Sequence, residues 1–366
     1  MNKKNRKTVR FAGAVLAAIG LGLFGVVTAK LYTDKINTEN SIKERYLTEA
    51  AGRDVIEESP LEEENSDNFW LLQTDDSGNI ELQGKAYRRN TAVKAILLIG
   101  ADTAGQMEKS PVIGSAGQAD GIFLAAQDTA RDKVKILMIP RDTMTNITLY
   151  DLSGNSLGKD RQHLTLAFAY GDGREKSCEM VEEGVSELLG GLKIDGYMAV
   201  NTSMIAALND EIGGVRVTIP EEGMEARDEA MVKGKTMTLQ GKQAEIFVRY
   251  RDIQKSQTAI SRMDRQKLYM KEFLNTAKQK ASKDNQLITR LVNNLEKNMI
   301  TDMAKDQYMN MGLAVLNSSQ SFGEEDFLML PGKGVETELF DEYHPDIEAI
   351  KPMVLELFYK EVSSGR

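Results

Sequence analysis

The sequence predicts a layered α/β fold, a central mixed β-sheet flanked by helices on both faces, preceded by one N-terminal transmembrane helix. Three observations predict it. Two apolar runs, 122–126 and 134–139, are joined by a short polar turn rich in Asp, Thr and Arg, which is a hairpin signal. Strand-like runs then alternate with amphipathic helical stretches, and that spacing builds a sheet covered on two sides. Finally, 366 residues of which 41% are hydrophobic and 28% charged suffice for one large domain or two small ones.

The chain opens on a basic tail, residues 1–10, with Lys3, Lys4, Arg6, Lys7 and Arg10 and no acid. Residues 11–29 carry no charge and are about the length that crosses a hydrocarbon core. Basic residues before them and acidic ones after place the N-terminus in the cytoplasm and the body outside. Val27 and Ala29 resemble the small residues that precede a signal-peptide cleavage site, but the apolar stretch exceeds a signal core, so an uncleaved anchor over 11–31 is expected. Residues 32–66 read as a stalk and acidic linker. Ile36, Tyr46 and Leu47 are too sparse there for an apolar helix face, and Pro60 followed by Glu62, Glu63 and Glu64 marks a boundary. A small β lead-in spans 67–91, with a DDSGN turn at 75–79.

The extracellular domain is expected over 92–366. Its first core strand, 95–99, runs into Gly100, Ala101 and Asp102. The segment 101–119 has Gly105, Pro111, Gly114 and Gly117, no period, and the length of a functional or mobile loop. The hairpin follows. Because the start of its first strand and the end of its second share one sheet edge, Asp120 and Arg141 become neighbours. A 95–99 strand parallel to 134–139 brings Asp102 to the same rim.

Further on, Val181, Val185, Leu188 and Leu189 share one face of a helix that Gly190-Gly191 stops. A strand at 194–200, a helix at 203–212 ended by Gly213-Gly214, and the alternating Val215, Val217 and Ile219 follow. The stretch 241–251 begins as a helix and ends with arginines on either side of Tyr250; if that end is extended, Arg249 and Arg251 share a face. A helix over 261–281 buries Met270, Phe273, Leu274 and Ala277 and stacks Arg262 on Gln266 four residues on. A strand at 327–330, a PGKG turn and a helix near 345–362 close the chain.

Composition narrows the chemistry. The net charge is -9, and the basic tail leaves the body more acidic still, which argues against nucleic acid as a partner. A single cysteine, Cys178, expected to be partly buried, excludes a disulfide framework and a thiolate metal site. Two histidines, His163 and His344, give a hydrolase triad little to build from. Chemistry falls to Asp and Arg: Asp102, Asp120, Arg141, Arg249, Arg251 and Arg262, with Gln266. Guanidinium forks match phosphate oxygens, and hard cations such as Mg²⁺ are held by one or two acids plus substrate phosphate. Together these parts describe a pyrophosphate clamp.

In order, GADT (100–103), ADG (119–121), IPRDT (139–143), AYGDG (169–173), GGVRV (213–217), VRYR (248–251) and RMDRQ (262–266) resemble the LytR-CpsA-Psr family of cell-envelope proteins, over about residues 92–280. The resemblance implies an extracytoplasmic phosphotransferase that moves a glycopolymer from an undecaprenyl-pyrophosphate carrier to peptidoglycan. It links Asp102 and Asp120 to Mg²⁺ or Mn²⁺, and Arg141, Arg249, Arg251, Arg262 and Gln266 to the pyrophosphate. It also implies an apolar cavity beside the sheet for the polyprenyl chain. The sequence departs from the family pattern at Ala104 and Gln118, where arginines are usual, and at Gly121, where Ser or Thr is usual. Fewer cations favour another reading of the same clamp, a non-catalytic lipid-pyrophosphate or glycan scaffold or sensor; a third reading is a polyprenyl-pyrophosphate hydrolase, with water as acceptor.

Overall fold

In the computed structural model the described residues are 70–362, apart from 73, 76–77, 104–105, 111, 152, 252–257, 297 and 338–340. The basic tail, anchor and stalk expected over 1–66 lie outside them, as does Ala104. Among the described residues no helix is long and apolar enough to cross a membrane.

The lead-in forms β1 (Ile80–Leu82) and β2 (Lys85–Arg89), and the next three strands are β3 (Val93–Ala101), β4 (Ala119–Asp128) and β5 (Lys133–Ile139). A second hairpin, β6 (Met144–Tyr150) and β7 (Ser156–His163), leads to α1 (Leu166–Tyr170), α2 (Glu175–Leu188), β8 (Gly196–Asn201) and α3 (Met204–Glu211). Then come β9 (Val215–Thr218), β10 (Thr236–Leu239), α4 (Lys242–Arg249), α5 (Thr258–Ala281), α6 (Leu287–Glu296), β11 (Met299–Thr301) and α7 (Lys305–Asn317). The chain closes with β12 (Phe327–Met329), β13 (Gly332–Glu336), β14 (Asp341–Pro345), α8 (Ile347–Phe358) and β15 (Tyr359–Glu361). The expected PGKG turn is therefore partly strand, since Gly332 and Lys333 already pair with Pro345 and His344 of β14.

Six strands in the order β11-β8-β3-β4-β5-β12 make the central sheet. It is mixed: β4 runs antiparallel to both β3 and β5, while β8 lies parallel to β3 and β12 parallel to β5. With β4 between them, β3 and β5 point the same way, so Asp102 and Arg141 leave the sheet at one end.

Alternation along the strands sends side chains to two separate cores. On one face Leu97, Leu124 and Leu137 stand in register, as do Ile99, Ile122 and Ile139. They pack with Val181 and Val185 of α2 and Ile350 and Val354 of α8. Each such residue, buried completely, contributes about 1.5–3 kcal/mol. On the other face Ile96, Ala125, Ile136 and Met138 meet Met263 of α5. Helices thus cover both faces, as the sequence predicts. A third core joins Val215, Val217 and Leu239 of the β9–β10 pair to Ala244 and Phe247 of α4 and Leu287 of α6.

Cys178 is fully buried rather than partly so, and burial pushes its thiol pKa up. The lead-in is fixed at Trp70, whose Nε1 donates to the Leu188 carbonyl (3.3 Å). Its ring lies so close to Gly190 that a Cβ there would come within 2.5 Å of it. Lys351 of α8 sits over the same ring, 5.9 Å from its centroid.

Candidate active site

Asp120 reaches the rim because the β3–β4 ladder skips it. Gly100 pairs with Gly121 and Ala101 with Ala119, which leaves Asp120 as the extra residue of a bulge. A bulge re-aims the side chain of its unpaired residue. Without it, Asp120 would share the face of Ile122 and Leu124; with it, the carboxylate meets two guanidinium groups. Arg141 Nη1 donates to Asp120 Oδ1, and Arg262 Nη1 lies 3.6 Å from Asp120 Oδ2. Gly121, one of the departures from the family pattern, faces the Phe123 ring: a Cβ there would stand 3.0 Å from Phe123 Cε2.

Arg141 sits just past the end of β5 and is held from several sides. Its Nε lies 3.2 Å from Asp142 Oδ1, its Nη1 donates to Gln118 Oε1 (3.4 Å), and its carbonyl accepts from Thr165 N (3.0 Å). Burial works against its charge, yet Asp120 and Asp142 outweigh burial and raise its pKa above the ordinary guanidinium value. Asp102 adds to the same effect, which places it within electrostatic reach. Arg262 goes the other way. Burial, then repulsion from Arg141 and Arg251, lower its pKa despite Asp120 and Asp142.

Asp102 is tied in through its backbone, where its N–H donates to the Gln118 carbonyl (2.9 Å). Gly117 makes that closure possible: its φ of +86° is left-handed, and a Cβ would stand 2.9 Å from the Asp102 carbonyl oxygen. The loop that follows β3 is anchored along its length. Asn201 Nδ2 donates to the Thr103 carbonyl (2.7 Å), Arg174 Nη1 to that of Met107 (3.0 Å), and Ser110 N to that of Asp172 (2.8 Å).

Arg249 and Arg251 do not share an extended face, contrary to the sequence expectation. Arg249 is the last residue of α4 and the chain becomes extended only at Tyr250, so the two side chains reach different acids. Arg249 Nη2 donates to Asp102 Oδ1 (2.5 Å) and its Nη1 to Glu245 (2.8 Å); Arg251 Nη2 lies 3.3 Å from Asp341 of β14. Both still join the cluster, Arg249 through Asp102 and Arg251 through its repulsion of Arg262.

The sequence reading passed over Arg265. It is 2% exposed and serves the end of α4, where the last carbonyls lack helical partners. Its Nε donates to the Phe247 carbonyl (3.0 Å), its Nη2 to that of Tyr250 and its Nη1 to Glu221, and the guanidinium carbon lies 5.4 Å from the Tyr250 ring centroid. Gln266 Nε2 takes the intervening carbonyl, that of Val248 (3.3 Å). Two adjacent residues of the RMDRQ stretch thus cap the helix that presents Arg249. Asp142, Glu245 and Asp341, also unread as site residues, are the acids that hold the rim arginines.

The cluster offers four guanidinium groups from three stretches of chain, each beside a carboxylate that a phosphate oxygen can replace, with Arg141 and Arg262 sharing Asp120. For a metal, Asp102, 42% exposed, and Asp120 supply hard oxygen donors. No group of three or more His, Cys, Asp or Glu among the described residues is placed to hold an ion. Two carboxylates are the kind of donor with which Mg²⁺ is held beside phosphates, substrate oxygens completing the shell.

Beside the clamp, α5 turns from polar to apolar. Arg262 reaches Asp120, while Met263, Met270 and Leu274 continue over the sheet face that carries Leu98 and Phe123. Leu98, Phe123, Met270, Leu274 and Met329 are only partly buried, so apolar surface stays accessible next to the arginines.

A profile of the LytR_cpsA_psr family matches residues 57–354. The polyisoprenyl-teichoic acid–peptidoglycan teichoic acid transferase TagU of Oceanobacillus iheyensis is 29% identical over 235 residues, 62% of this chain and 63% of its own. TagU of Bacillus mycoides is 27% identical over 241 residues, 66% and 69% of the two chains. The chain thus spans a little under two thirds of the first of these relatives. Among solved structures, a Streptococcus agalactiae protein shares the fold with a TM-score of 0.58 at 20% identity, over 75% of this chain and 91% of that one. TagV of Bacillus subtilis does so with a TM-score of 0.54 at 19% identity, over 73% and 97%.

Proposed function

The chain belongs to the LytR-CpsA-Psr family, and from that membership we propose a membrane-anchored phosphotransferase that moves a glycopolymer from an undecaprenyl-pyrophosphate carrier to peptidoglycan outside the cell. The observation that carries the reading is the convergence of Asp102, Asp120, Arg141, Arg249, Arg251 and Arg262 at one sheet edge beside accessible apolar surface. The TagU relatives, named as teichoic acid transferases acting on a polyisoprenyl-linked polymer and peptidoglycan, support the substrate class. Residues 11–31 supply the anchor.

The pyrophosphate lies across Arg141, Arg249, Arg251 and Arg262, and each guanidinium exchanges its carboxylate for a phosphate oxygen. Binding of this kind is an ion exchange, so the arginines are already oriented when substrate arrives. Gln266 supports them, its amide nitrogen on the Val248 carbonyl of α4. Asp102 and Asp120, released from their partners, would hold Mg²⁺ or Mn²⁺, which would supply positive charge to the pyrophosphate oxygens. The polyprenyl chain runs along the face under α5, against Phe123, Met270 and Leu274.

A muramyl hydroxyl attacks the phosphorus that carries the polymer. The new P–O bond forms as the bridging P–O bond breaks, undecaprenyl phosphate departs, and the hydroxyl proton passes to solvent. Positioning and charge stabilisation supply most of phosphoryl-transfer catalysis, and this rim provides both without a histidine.

The full-length chain, given lipid-pyrophosphate-linked glycopolymer, a peptidoglycan acceptor and Mg²⁺, releases undecaprenyl phosphate together with polymer-bearing peptidoglycan. Arg141→Ala and chelation of the metal each stop both products. Release unchanged by Arg141→Ala removes the mechanism, and free polymer phosphate as the main product identifies a hydrolase instead. One observation favours a binding scaffold: Gln118, which accepts from Arg141, stands where the family usually adds a cation. Substrate bound but never turned over would establish that role.

A further inference from the structure

The rows of aliphatic side chains that face α8 break off at the end of the sheet opposite the clamp. Above stand the isoleucine and leucine rows; below them the registered positions become Ala95, Ala126 and Lys135, then Val93, Asp128 and Lys133. The strands themselves remain in the core at that level, because Val134 and Ile136 are buried on the other face. Only the α8 side changes, from large and apolar to small and charged.

A cavity of about 450 Å³ lies there, within the size range of small-molecule sites. Its apolar floor is Val93, Ala126 and Leu357, and Asn90 and Tyr359 stand at its side. Four cations line it, Arg131, Lys133, Lys135 and Lys360, against two acids, Asp128 and Glu356. Both acids are engaged. Arg131 lies 3.1 Å from Asp128 and Lys135 lies 3.5 Å from Glu356. Lys133 and Lys360 have no carboxylate partner among the described residues. Two unneutralised cations over an apolar floor, in a chain whose body is acidic, make a local site for an anion that also has a hydrophobic face.

We propose that this cavity binds an anionic sugar, a saccharide carrying a phosphate or a carboxylate, with Lys133 and Lys360 on the charge and the sugar ring against Ala126, Leu357 and Tyr359. The six residue steps from Lys133 to Ile139 separate it from the clamp by about 20 Å of strand. It is a second site, and its occupation does not depend on the chemistry proposed for the first.

Calorimetric titration of the full-length chain in detergent with N-acetylglucosamine 1-phosphate, N-acetylmuramic acid and neutral N-acetylglucosamine tests it. One or both anionic sugars bind, the neutral one at least tenfold more weakly, and the stronger anion tells phosphate from carboxylate. Lys133→Ala with Lys360→Ala weakens that binding at least tenfold, as does Ala126→Leu, which fills the floor and keeps every charge. Every titration is run in the Arg141→Ala background, where the clamp's own hold on phosphate is weakened, so failure at the clamp and failure here are separable. No binding of either anion, equal binding of the neutral sugar, or binding that survives both cavity changes overturns the proposal.

Discussion

Arg265→Met removes the charge that caps α4 while keeping an apolar side chain of similar reach. The carbonyls of Phe247 and Tyr250 then lose their donor at a position 2% exposed, and Glu221 loses its partner. A hydrogen bond to a charged group contributes roughly 1.5–3 kcal/mol, so the two carbonyl bonds together are worth roughly 3–6 kcal/mol. Methionine recovers part of this through packing against Tyr250, by about 1 kcal/mol. Roughly 2–5 kcal/mol remains. At roughly 2–4 °C per kcal/mol for a large domain, the melting midpoint of the full-length chain falls by roughly 10 °C. The damage centres on the α4 terminus, so transfer activity below the midpoint falls as well, because Arg249 loses its mounting. Glu221→Gln, which keeps an acceptor for Arg265, loses much less on both measures. A melting midpoint of Arg265→Met within about 1 °C of the parent would show that solvent caps these carbonyls equally well and refute the reasoning.

Two further outcomes follow from charges at known distances. Gln118→Arg replaces the acceptor 3.4 Å from Arg141 with another guanidinium; inorganic pyrophosphate should then bind about tenfold more tightly by calorimetry, since one added charge-assisted bond reaches that factor, and unchanged affinity would mean position 118 does not face the ligand. Lys267 and Lys271 bond Glu324 and hold its pKa down to about 2 from an ordinary 4.5. A depressed carboxylate stabilises the fold above its unfolded pKa and loses that contribution as pH falls from 4.5 through about 2. Because Glu324 is 63% exposed, the effect is below about 1 kcal/mol: Glu324→Gln should melt slightly lower than the parent at pH 6 and together with it near pH 2, and a gap independent of pH would count against the pair.

Much of the fold was legible because it rests on periodicity. The β4–β5 hairpin, α2 and α3 follow directly from apolar spacing, and hairpin geometry brings Asp120 to the sheet edge where Arg141 stands; of the four residues expected to be buried on α5 only Ala277 is, while Met270, Phe273 and Leu274 are partly buried. The β6–β7 hairpin was not legible: β7 is SLGKDRQH, exposed along most of its length, so no buried face imposes alternation on it. The bulge at Asp120 left no mark beyond a neighbouring glycine. The spacing of Arg249 and Arg251 does not reveal that α4 ends at Arg249, and one helical residue redirects a side chain. Arg265 was missed since charged residues are rarely buried completely, and its three partners lie 15 to 44 positions away. Caps between helices distant in sequence are tertiary facts that local patterns do not carry.

The indole wedged over Gly190 is the only one in the chain. Its emission therefore originates from a single junction, where the lead-in, the end of α2 and α8 come together under the Lys351 ammonium. A red shift in fluorescence would signal that this seam has opened and water has reached the ring, even while circular dichroism still records intact helices and strands. The molecule thus contains its own optical gauge for telling detachment of the lead-in from collapse of the sheet.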